Sequence, residues 1–412
     1  MKVSMFHLMP HRELPADFNT RYPSVWVTPP WHELADPERV GQYYRWTLTE
    51  LLHAAEMGYD GVCVNEHLQN AYGFMPNPNL MGAALAHATQ HLPVAIVQIG
   101  STLPNVHPLR IAEEYAMLDS ISGGRLVAGM PAGTSMDTNQ VMGIPPIEQR
   151  ARYLEAHELI LKAWTSKETF AFNGQFTQLP SVNLWPRPIQ DPVPVWIPGL
   201  GSLSTWQFTA KNNHAYCMLS FFGSQIGKRV MDGFWNFVDA EGLDRNPYRA
   251  GFAQIVAVAD TDAAAEKLFA KHIRYFFDNC LHVPLHHWGL PGHADYPSLA
   301  NSIRSGTGIK QMEMMASFKN YTYKDFVDSD IVIAGSPATV RDKLVDAVKT
   351  LRVGNLMVGQ HIGSMPHELT MDSISLFCSD VLPKLSDVWD DEGWVNHWWP
   401  QRLRGQRLAE VN

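Results

Sequence analysis

Short apolar runs alternate with amphipathic stretches along most of the chain, and each pair predicts one β-strand followed by one α-helix. The clearest example lies between residues 91 and 133, where the apolar runs 92–100 and 125–130 flank a helical pattern over residues 109–120. Continuous apolar runs of this length are typical of strands that are buried on both faces. Two such strands joined by a helix form a parallel βαβ unit.

The same alternation accounts for eight strand–helix units, without a run of antiparallel hairpins. We predict strands at residues 2–8, 61–65, 92–100, 125–130, 194–197, 215–220, 251–259 and 355–358. Eight units in this order favour a (β/α)8 TIM barrel. An open doubly wound sheet is the alternative, but the GxGxxG fingerprint that would support it does not follow the first strand.

Two stretches interrupt the barrel pattern, and we predict that they are insertions at the C-terminal mouth of the strands. Residues 11–36 are rich in proline and contain two tryptophans, and residues 279–330 are irregular and rich in glycine, proline, histidine and methionine. We therefore assign residues 1–385 to one barrel domain, with these stretches as inserted loops or a lid. The tail, residues 386–412, carries four tryptophans and should pack on the barrel or on a second subunit.

Charge and composition exclude some classes of protein. The 412 residues carry 32 basic and 41 acidic side chains, a formal net charge of −9, without a basic cluster. Nucleic-acid binding is disfavoured, because a phosphate-binding face needs clustered lysine and arginine. No apolar run reaches the ~18 residues of a membrane span, and the first residues lack the apolar region of a secretory signal. Four scattered cysteines predict free thiols in a reducing compartment, so we expect a cytoplasmic protein.

Polar and flexible residues follow the predicted strands at the end of the barrel where active sites lie. Reading along that end gives His7 and the segments 65–67, 99–100, 130–133, 199–204 and 359–361. His7, His67 and His361 could converge on a metal ion, but their spacing matches no metal motif, so we predict no metal site. His67 follows the second strand and suits proton transfer near neutral pH, with a structural histidine as the alternative. Glu66 beside it could orient other groups or form a salt bridge.

The turn over residues 199–204, GLGSLS, ends a strand and opens a helix. Its glycines, its hydroxyls and the free backbone N–H groups of the helix N-terminus could cradle a phosphate group. Arg150 and Arg152 begin the preceding long helix and could neutralise that phosphate. A packing turn and two solvated arginines are the alternative interpretation.

Five segments resemble, in order, the motifs of the bacterial luciferase-like family of flavin-dependent monooxygenases. Residues 58–68, GYDGVCVNEHL, are similar to the family's GFD-x-V-W-x-x-EHH, and residues 103–129 follow its LP-x-x-HP-x-R segment through S-x-GR almost residue for residue. Residues 192–204, 334–356 and 376–385 are similar to three further motifs. The resemblance covers most of the chain, up to about residue 385.

The resemblance implies a (β/α)8 barrel, usually dimeric, that binds reduced FMN at its mouth. A separate NAD(P)H-dependent reductase usually supplies that flavin. By position, His67 matches the histidine that assists formation and use of the flavin peroxide, Arg150 matches a phosphate-binding arginine, and residues 200–204 match the phosphate loop. Residues 99–100 match the place where members often carry a non-prolyl cis peptide under the flavin ring.

Two positions depart from the family pattern. The second histidine of the strand-two motif is Leu68 here, and the arginine that often follows the fourth strand is Ala132. Arg150 or Arg152 would then carry more of the phosphate charge, and flavin affinity should be modest.

These features predict a two-component flavin-dependent monooxygenase that uses reduced FMN and O2 to insert one oxygen atom into an apolar organic substrate. Transfer would proceed through a peroxyflavin, by hydroxylation or by Baeyer–Villiger chemistry. A deazaflavin-dependent hydride-transfer oxidoreductase is the second hypothesis, and a non-catalytic flavin-binding protein is the third.

The hypothesis assigns a role to each candidate side chain, with His67 as the catalytic residue. The predicted cofactor contacts are Glu66, Ile99, Gly100, Met130, Arg150, Arg152, Leu200, Gly201, Ser202 and Ser204. The predicted lining of the substrate pocket is His7, Trp26, Trp31, Phe221, Phe222 and Trp288.

Overall fold

Short strands recur along the chain at the apolar runs of the sequence. The computed structural model describes residues 1–219, 222–284, 287, 296–306 and 313–406. The strands are β1 Lys2–Phe6, β2 Gly61–Val64, β3 Ala95–Gln98, β4 Leu126–Gly129, β5 Phe170–Asn173, β6 Gln178–Val182, β7 Val195–Gly199, β8 Ala215–Met218, β9 Ala250–Val258, β10 Val332–Gly335 and β11 Asn355–Gly359.

Eight of these strands are neighbours in the order β1-β2-β3-β4-β7-β8-β9-β11, and β11 pairs in turn with β1. In that closing pair Lys2 lies opposite Asn355, while on the other edge of β1 Ser4 lies opposite Gly61. All pairings within this ring are parallel. The prediction of a (β/α)8 TIM barrel is confirmed.

Strand β10 and the hairpin of β5 and β6 lie outside the ring of eight. Strand β10 pairs with residues 255–258 at the far end of β9, whereas β11 pairs with residues 251–255. Strands β5 and β6 pair with each other in antiparallel fashion between β4 and β7. The sequence pattern does not predict β10, because its four residues directly follow an irregular stretch.

Helices connect the strands, and several begin at a side-chain cap. They are α1 Phe18–Arg21, α2 Trp31–Leu34, α3 Pro37–Glu56, α4 Pro78–Ala88, α5 Pro108–Ser122, α6 Pro146–Thr165, α7 Leu203–Lys211, α8 Gly223–Ala240, α9 Asp262–Tyr275, α10 Tyr296–Ser305, α11 Tyr323–Asp328, α12 Pro337–Leu351, α13 His367–Asp380 and α14 Leu382–Ser386. Asp36 caps α3 by accepting from the backbone N–H of Arg39, with Pro37 in the first turn. Gly123, in the left-handed conformation, ends α5.

Alternate residues of each barrel strand belong to two different apolar clusters. Val62 and Val64 of β2 pack in the cluster that contains the helix residues Leu51 and Tyr115. Cys63, between them, belongs to a second cluster together with interior residues of neighbouring strands. Successive side chains of a strand point to opposite faces, so one face of each strand packs on the helices and the other fills the barrel.

The tryptophan-rich tail lies against the amino ends of the strands. Trp398 and Trp399 are buried, and the indole N–H of Trp196 near the start of β7 donates to the carbonyl of Trp398 at 2.9 Å. At the opposite end, α10 of the insertion lies near α7, where the hydroxyls of Ser298 and Ser204 are 3.1 Å apart. Among the helices described, none is both long and apolar enough to cross a membrane.

Candidate active site

The imidazole of His67 lies directly after β2, at the carboxyl end of the barrel. Its Nδ1 is 3.0 Å from Oδ2 of Asp137. The ring contacts Trp26 and Tyr72 edge-to-face, with centroid distances of 5.5 and 4.7 Å. Its Nε2 has no hydrogen-bond partner within the described part of the chain. One ring nitrogen is therefore held in place while the other is available to a ligand.

Asp137, which holds His67, lies in the loop after β4. Its carboxylate also accepts hydrogen bonds from the indole N–H of Trp26 at 2.9 Å, the backbone N–H of Leu68 at 2.8 Å and the hydroxyl of Thr134 at 2.9 Å. Burial alone would raise the pKa of Asp137, but its interaction with His67 and the hydrogen bonds from Leu68 and Trp26 hold that pKa below its usual value. Asp137 is therefore an ionised carboxylate.

Asp137 is missing from the residues predicted from the sequence, because the loop after β4 carries no recognisable motif. One signal was available, since Asp137 is the only acidic residue between β4 and Glu148. The structure adds a second signal, an irregular π-helical turn over Ser135–Val141. Such turns are frequent at functional sites. Tyr72, also missed, lies in a loop whose direction the sequence pattern does not reveal.

Glu66, next to His67, carries a carboxyl group with an altered pKa. Burial raises the pKa of Glu66 to about 7, partly opposed by hydrogen bonding to Thr102, and the negative charge of Asp137 adds to the increase. The backbone N–H of Thr102 lies 3.4 Å from Oε1, which is a long contact. Near neutral pH the group is present in both protonation states, so it can donate as well as accept a hydrogen bond.

Gly100 lets the loops after β2 and β3 approach each other closely. A Cβ atom at this position would overlap the backbone nitrogen of Glu66, and a Cβ atom at Gly129 would overlap Cα of Ile99. Only glycine fits at both positions. The implied cis peptide at residues 99–100 is wrong, because the cis peptide bonds of the described residues all precede proline.

The turn between β7 and α7 carries the free donors that a phosphate group needs. Ser202 caps α7 by accepting from the backbone N–H of Thr205 at 3.2 Å. The backbone N–H groups of Gly201, Ser202 and Leu203 have no hydrogen-bond partner among the described residues. Gly201 has a φ of +104°, and a Cβ atom there would come within 2.6 Å of Val230. The turn thus depends on glycine and leaves donors free at a helix N-terminus.

Of the two candidate arginines, Arg150 alone lies at this turn. Its Nη2 donates to the carbonyl oxygen of Ser204 at 3.2 Å. Arg152 instead pairs with Glu148 at 2.8 Å, and its guanidinium lies over the ring of Phe176 at 4.4 Å. The structure therefore brings Arg150 to the predicted phosphate site and directs Arg152 toward the hairpin of β5 and β6.

The remaining predicted cofactor contacts lie around the same mouth. Met130 follows β4 and is buried, with its carbonyl oxygen accepting from the hydroxyl of Tyr153 at 3.0 Å. Leu200 is half exposed in the turn after β7. The hydroxyl of Ser204 lies 3.1 Å from that of Ser298, so residues of α10 border the predicted phosphate site.

The predicted substrate residues have different surroundings. Trp26 is buried beside His67, as described above. Trp31 is 69% exposed on the short helix α2 and contacts no other predicted site residue among those described. Phe222 is partly buried at the start of α8, while Phe221 and Trp288 lie outside the described residues.

His7 occupies a closed polar network rather than an open pocket. Its Nε2 is 2.7 Å from Oε2 of Glu50, and its Nδ1 accepts from the backbone N–H of Met9 at 2.9 Å. The ring is fully buried and stacks on His361 at 5.0 Å, so this geometry gives no support to a substrate contact. His7 and His361 thus interact with each other and with residues other than His67. No group of three or more potential metal ligands occurs in the described ranges.

A barrel mouth that presents backbone donors beside an arginine, together with an imidazole nitrogen that is unpaired among the described residues, is typical of an enzyme that binds a phosphorylated cofactor. Comparison with known proteins identifies the kind of enzyme, because the family model described as luciferase-like monooxygenase matches residues 26–353. The chain belongs to this family, which confirms the resemblance found in its motifs. It is an enzyme of the flavin-dependent monooxygenase class.

Individual relatives show how far the similarity extends. The 2,5-diketocamphane 1,2-monooxygenase 1 of Pseudomonas putida is 25% identical over 364 residues, which cover 84% of this chain and 94% of the relative. An F420-dependent glucose-6-phosphate dehydrogenase of Nakamurella multipartita is 30% identical over 187 residues, 43% of this chain and 54% of the relative. The oxygenating constituent of 3,6-diketocamphane monooxygenase of Pseudomonas putida, solved with FMN, superposes with a TM-score of 0.69 at 19% identity, over 93% of this chain and 98% of that chain.

Proposed function

We propose that this chain is the oxygenase component of a two-component system, which uses reduced FMN and O2 to insert one oxygen atom into an apolar organic substrate. The observation that carries the proposal is the combination of Arg150 at the turn after β7 with the free Nε2 of His67 at the same end of the barrel. Family membership supports oxygen insertion. The FMN complex of the 3,6-diketocamphane enzyme supports FMN as the cofactor.

The free donors after β7 fit the phosphate group of FMN. Arg150 would supply the positive charge, and the N–H groups of Gly201 and Ser202, which have no partner in the described part of the chain, would supply backbone donors. Residues 99–100 and Glu66 would contact the flavin ring, and Glu66 could donate or accept a hydrogen bond there. Reduced flavin, when bound, would supply the two electrons that activate dioxygen, so that one atom of O2 enters the substrate and the other leaves as water.

His67 is the group proposed to hold or move a proton during this chemistry. Its Nε2 has no partner among the residues that the structure describes, while Nδ1 is held by Asp137, so a proton can be exchanged at one defined atom. The buried rings of Trp26 and Tyr72 line the imidazole and exclude water from one side of it. Water exclusion matters, because it prevents side reactions of reactive oxygen species before they meet the substrate.

Deazaflavin-dependent hydride transfer is the second candidate function. It is favoured by one observation, the 30% identity to an F420-dependent dehydrogenase over 187 residues. Titration of the purified protein with reduced FMN and with reduced F420 separates the two proposals. Tighter binding of F420, together with oxygen-independent turnover, would replace the monooxygenase proposal.

Oxygen labelling tests the proposed reaction directly. The protein is mixed with reduced FMN under 18O2 and challenged with cyclic ketones, terpenes, aldehydes and aromatic compounds. We expect one 18O atom in the product of at least one class, with photochemically reduced FMN able to replace a flavin reductase. Turnover that needs no oxygen, or a product without label, would contradict the proposal. His67→Ala should lower the yield of labelled product without preventing FMN binding.

We also propose that the protein is a homodimer. Met117 and Ile121, one helical turn apart on α5, are each nearly half exposed, and apolar side chains at such spacing are typical of a covered helix face. Sedimentation equilibrium should give twice the chain mass, and a Met117→Lys, Ile121→Lys double variant should shift the protein toward monomer. A wild-type monomer would contradict this proposal.

A further inference from the structure

We propose that Asp137 is a positioning residue, which fixes His67 in the tautomer with hydrogen on Nδ1 and the lone pair on Nε2. This inference rests on the proposed function for its catalytic meaning, but the tautomer itself is a property of the protein without cofactor. Asp137 and His67 are separated by 70 residues in the chain and meet at 3.0 Å. Two different loops, after β2 and after β4, must therefore fold together to create the pair.

The hydrogen-bond donors around Asp137 leave its carboxylate only the role of acceptor. Oδ1 accepts from the indole N–H of Trp26 and from the backbone N–H of Leu68, two groups that can only donate. Oδ2 accepts from the hydroxyl of Thr134 and faces His67. A carboxylate that accepts at both oxygens requires His67 to donate, and in a neutral ring this places the hydrogen on Nδ1.

Burial makes this arrangement rigid. The side chain of Asp137 is 3% exposed and that of His67 is 14% exposed, so solvent screening of the pair is weak. Trp26 holds the ring by an edge-to-face contact and also donates to Asp137. The imidazole thus keeps a fixed plane, and its Nε2 presents one lone pair to the barrel mouth. Proton transfer in an active site depends on such a defined direction.

The tautomer can be measured on the intact, cofactor-free protein by 15N NMR of histidine-labelled samples. His67→Ala identifies the His67 signals by their loss. We expect wild-type His67 to show a protonated Nδ1 and an unprotonated Nε2 at pH 8. In Asp137→Asn, whose amide can both donate and accept, we expect a mixture of tautomers or the reversed one. Thr134→Val is the control, because it removes the hydroxyl that donates to Oδ2 and accepts from the backbone N–H of Asp137 but keeps the carboxylate, and the wild-type tautomer should persist.

Kinetics give the second readout. Asp137→Asn should lower kcat by about 100-fold or more, as expected for a misplaced catalytic group, with KM and FMN affinity changed less than about threefold. If His67→Ala is inactive but Asp137→Asn keeps the wild-type tautomer and kcat, the inference is wrong while the proposed function stands. If His67→Ala remains fully active, the proposed role of His67 fails, whatever the tautomer. If Asp137→Asn and Thr134→Val lose equal stability and His67 keeps its tautomer in both variants, Asp137 only stabilises the loop and the inference is wrong.

Discussion

Replacement of Arg150 by alanine is the sharpest test of the proposed cofactor site. Arg150 and Arg152 lie on the same turn of α6, and the sequence nominates both for phosphate binding. In the structure Nη2 of Arg150 is 3.2 Å from the carbonyl oxygen of Ser204, whereas Arg152 is paired with Glu148 at 2.8 Å. The two substitutions remove the same charge from the same helix, so they differ only in the surroundings of that charge.

The size of the expected effect follows from the kind of contact. A hydrogen bond to a charged partner contributes about 1.5–3 kcal/mol. Loss of the Arg150 guanidinium should therefore weaken FMN binding by about 10- to 150-fold, since about 1.4 kcal/mol corresponds to a factor of ten. Arg152→Ala removes a partly exposed pair with Glu148, and such pairs contribute about 0–1 kcal/mol. Its effect on FMN affinity should stay below about fivefold.

Titration of each variant with FMN and with riboflavin separates phosphate binding from ring binding. Riboflavin lacks the phosphate group, so Arg150→Ala should leave its affinity unchanged while that of FMN falls. Circular dichroism of the variants checks that the barrel is intact. The reasoning would be refuted if Arg152→Ala weakened FMN binding more than Arg150→Ala, or if riboflavin lost affinity in parallel with FMN.

Three further predictions concern the framework of the site. Glu50→Ala leaves a buried arginine and two histidines without their shared carboxylate and should lower the free energy of unfolding in urea by about 3–5 kcal/mol, whereas the exposed Glu56→Ala on the same helix should change it by less than ~0.5 kcal/mol. Gly100→Ala forces the loops after β2 and β3 apart and should abolish FMN binding with a native far-UV spectrum, so wild-type affinity would count against the close packing. Burial lowers the pKa of His272 to about 4, so the unfolded state takes up a proton first as pH falls below about 6.5. The contribution of His272, measured as the difference in stability between the wild type and His272→Gln, should be largest above that pH and decline toward pH 4. A difference that stays constant from pH 7 to 5 would contradict the assigned pKa.

The architecture follows from local patterns that need no knowledge of distant contacts. Apolar runs closed by turns predict the buried strands, and an apolar period of 3.6 predicts the helices between them. The local pattern does not predict strand β10, because its four apolar residues, which lie beside an irregular stretch, are too few to show a periodicity. The sequence also reveals Glu66 and His67 of the motif after β2, and the turn after β7. Each of them lies directly at the end of a predicted strand.

The partners of those residues were decided by tertiary structure. Asp137 reaches His67 only because β2, β3 and β4 are adjacent in the barrel. Trp26 lies inside while Trp31, five residues later, lies on the surface, a difference that the sequence of this loop does not reveal.

The sequence alone therefore determined the family, the order of the βα units and the strand ends at which we propose that the chemistry takes place. It could not rank Arg150 over Arg152, because two side chains on one helical turn differ only in the direction in which the folded barrel presents them. Nor could it reveal that His7 is closed into a network with Glu50 from α3. Hydrophobic periodicity is a local property of the chain, whereas hydrogen bonds across 43 to 70 residues depend on the packed arrangement of whole elements.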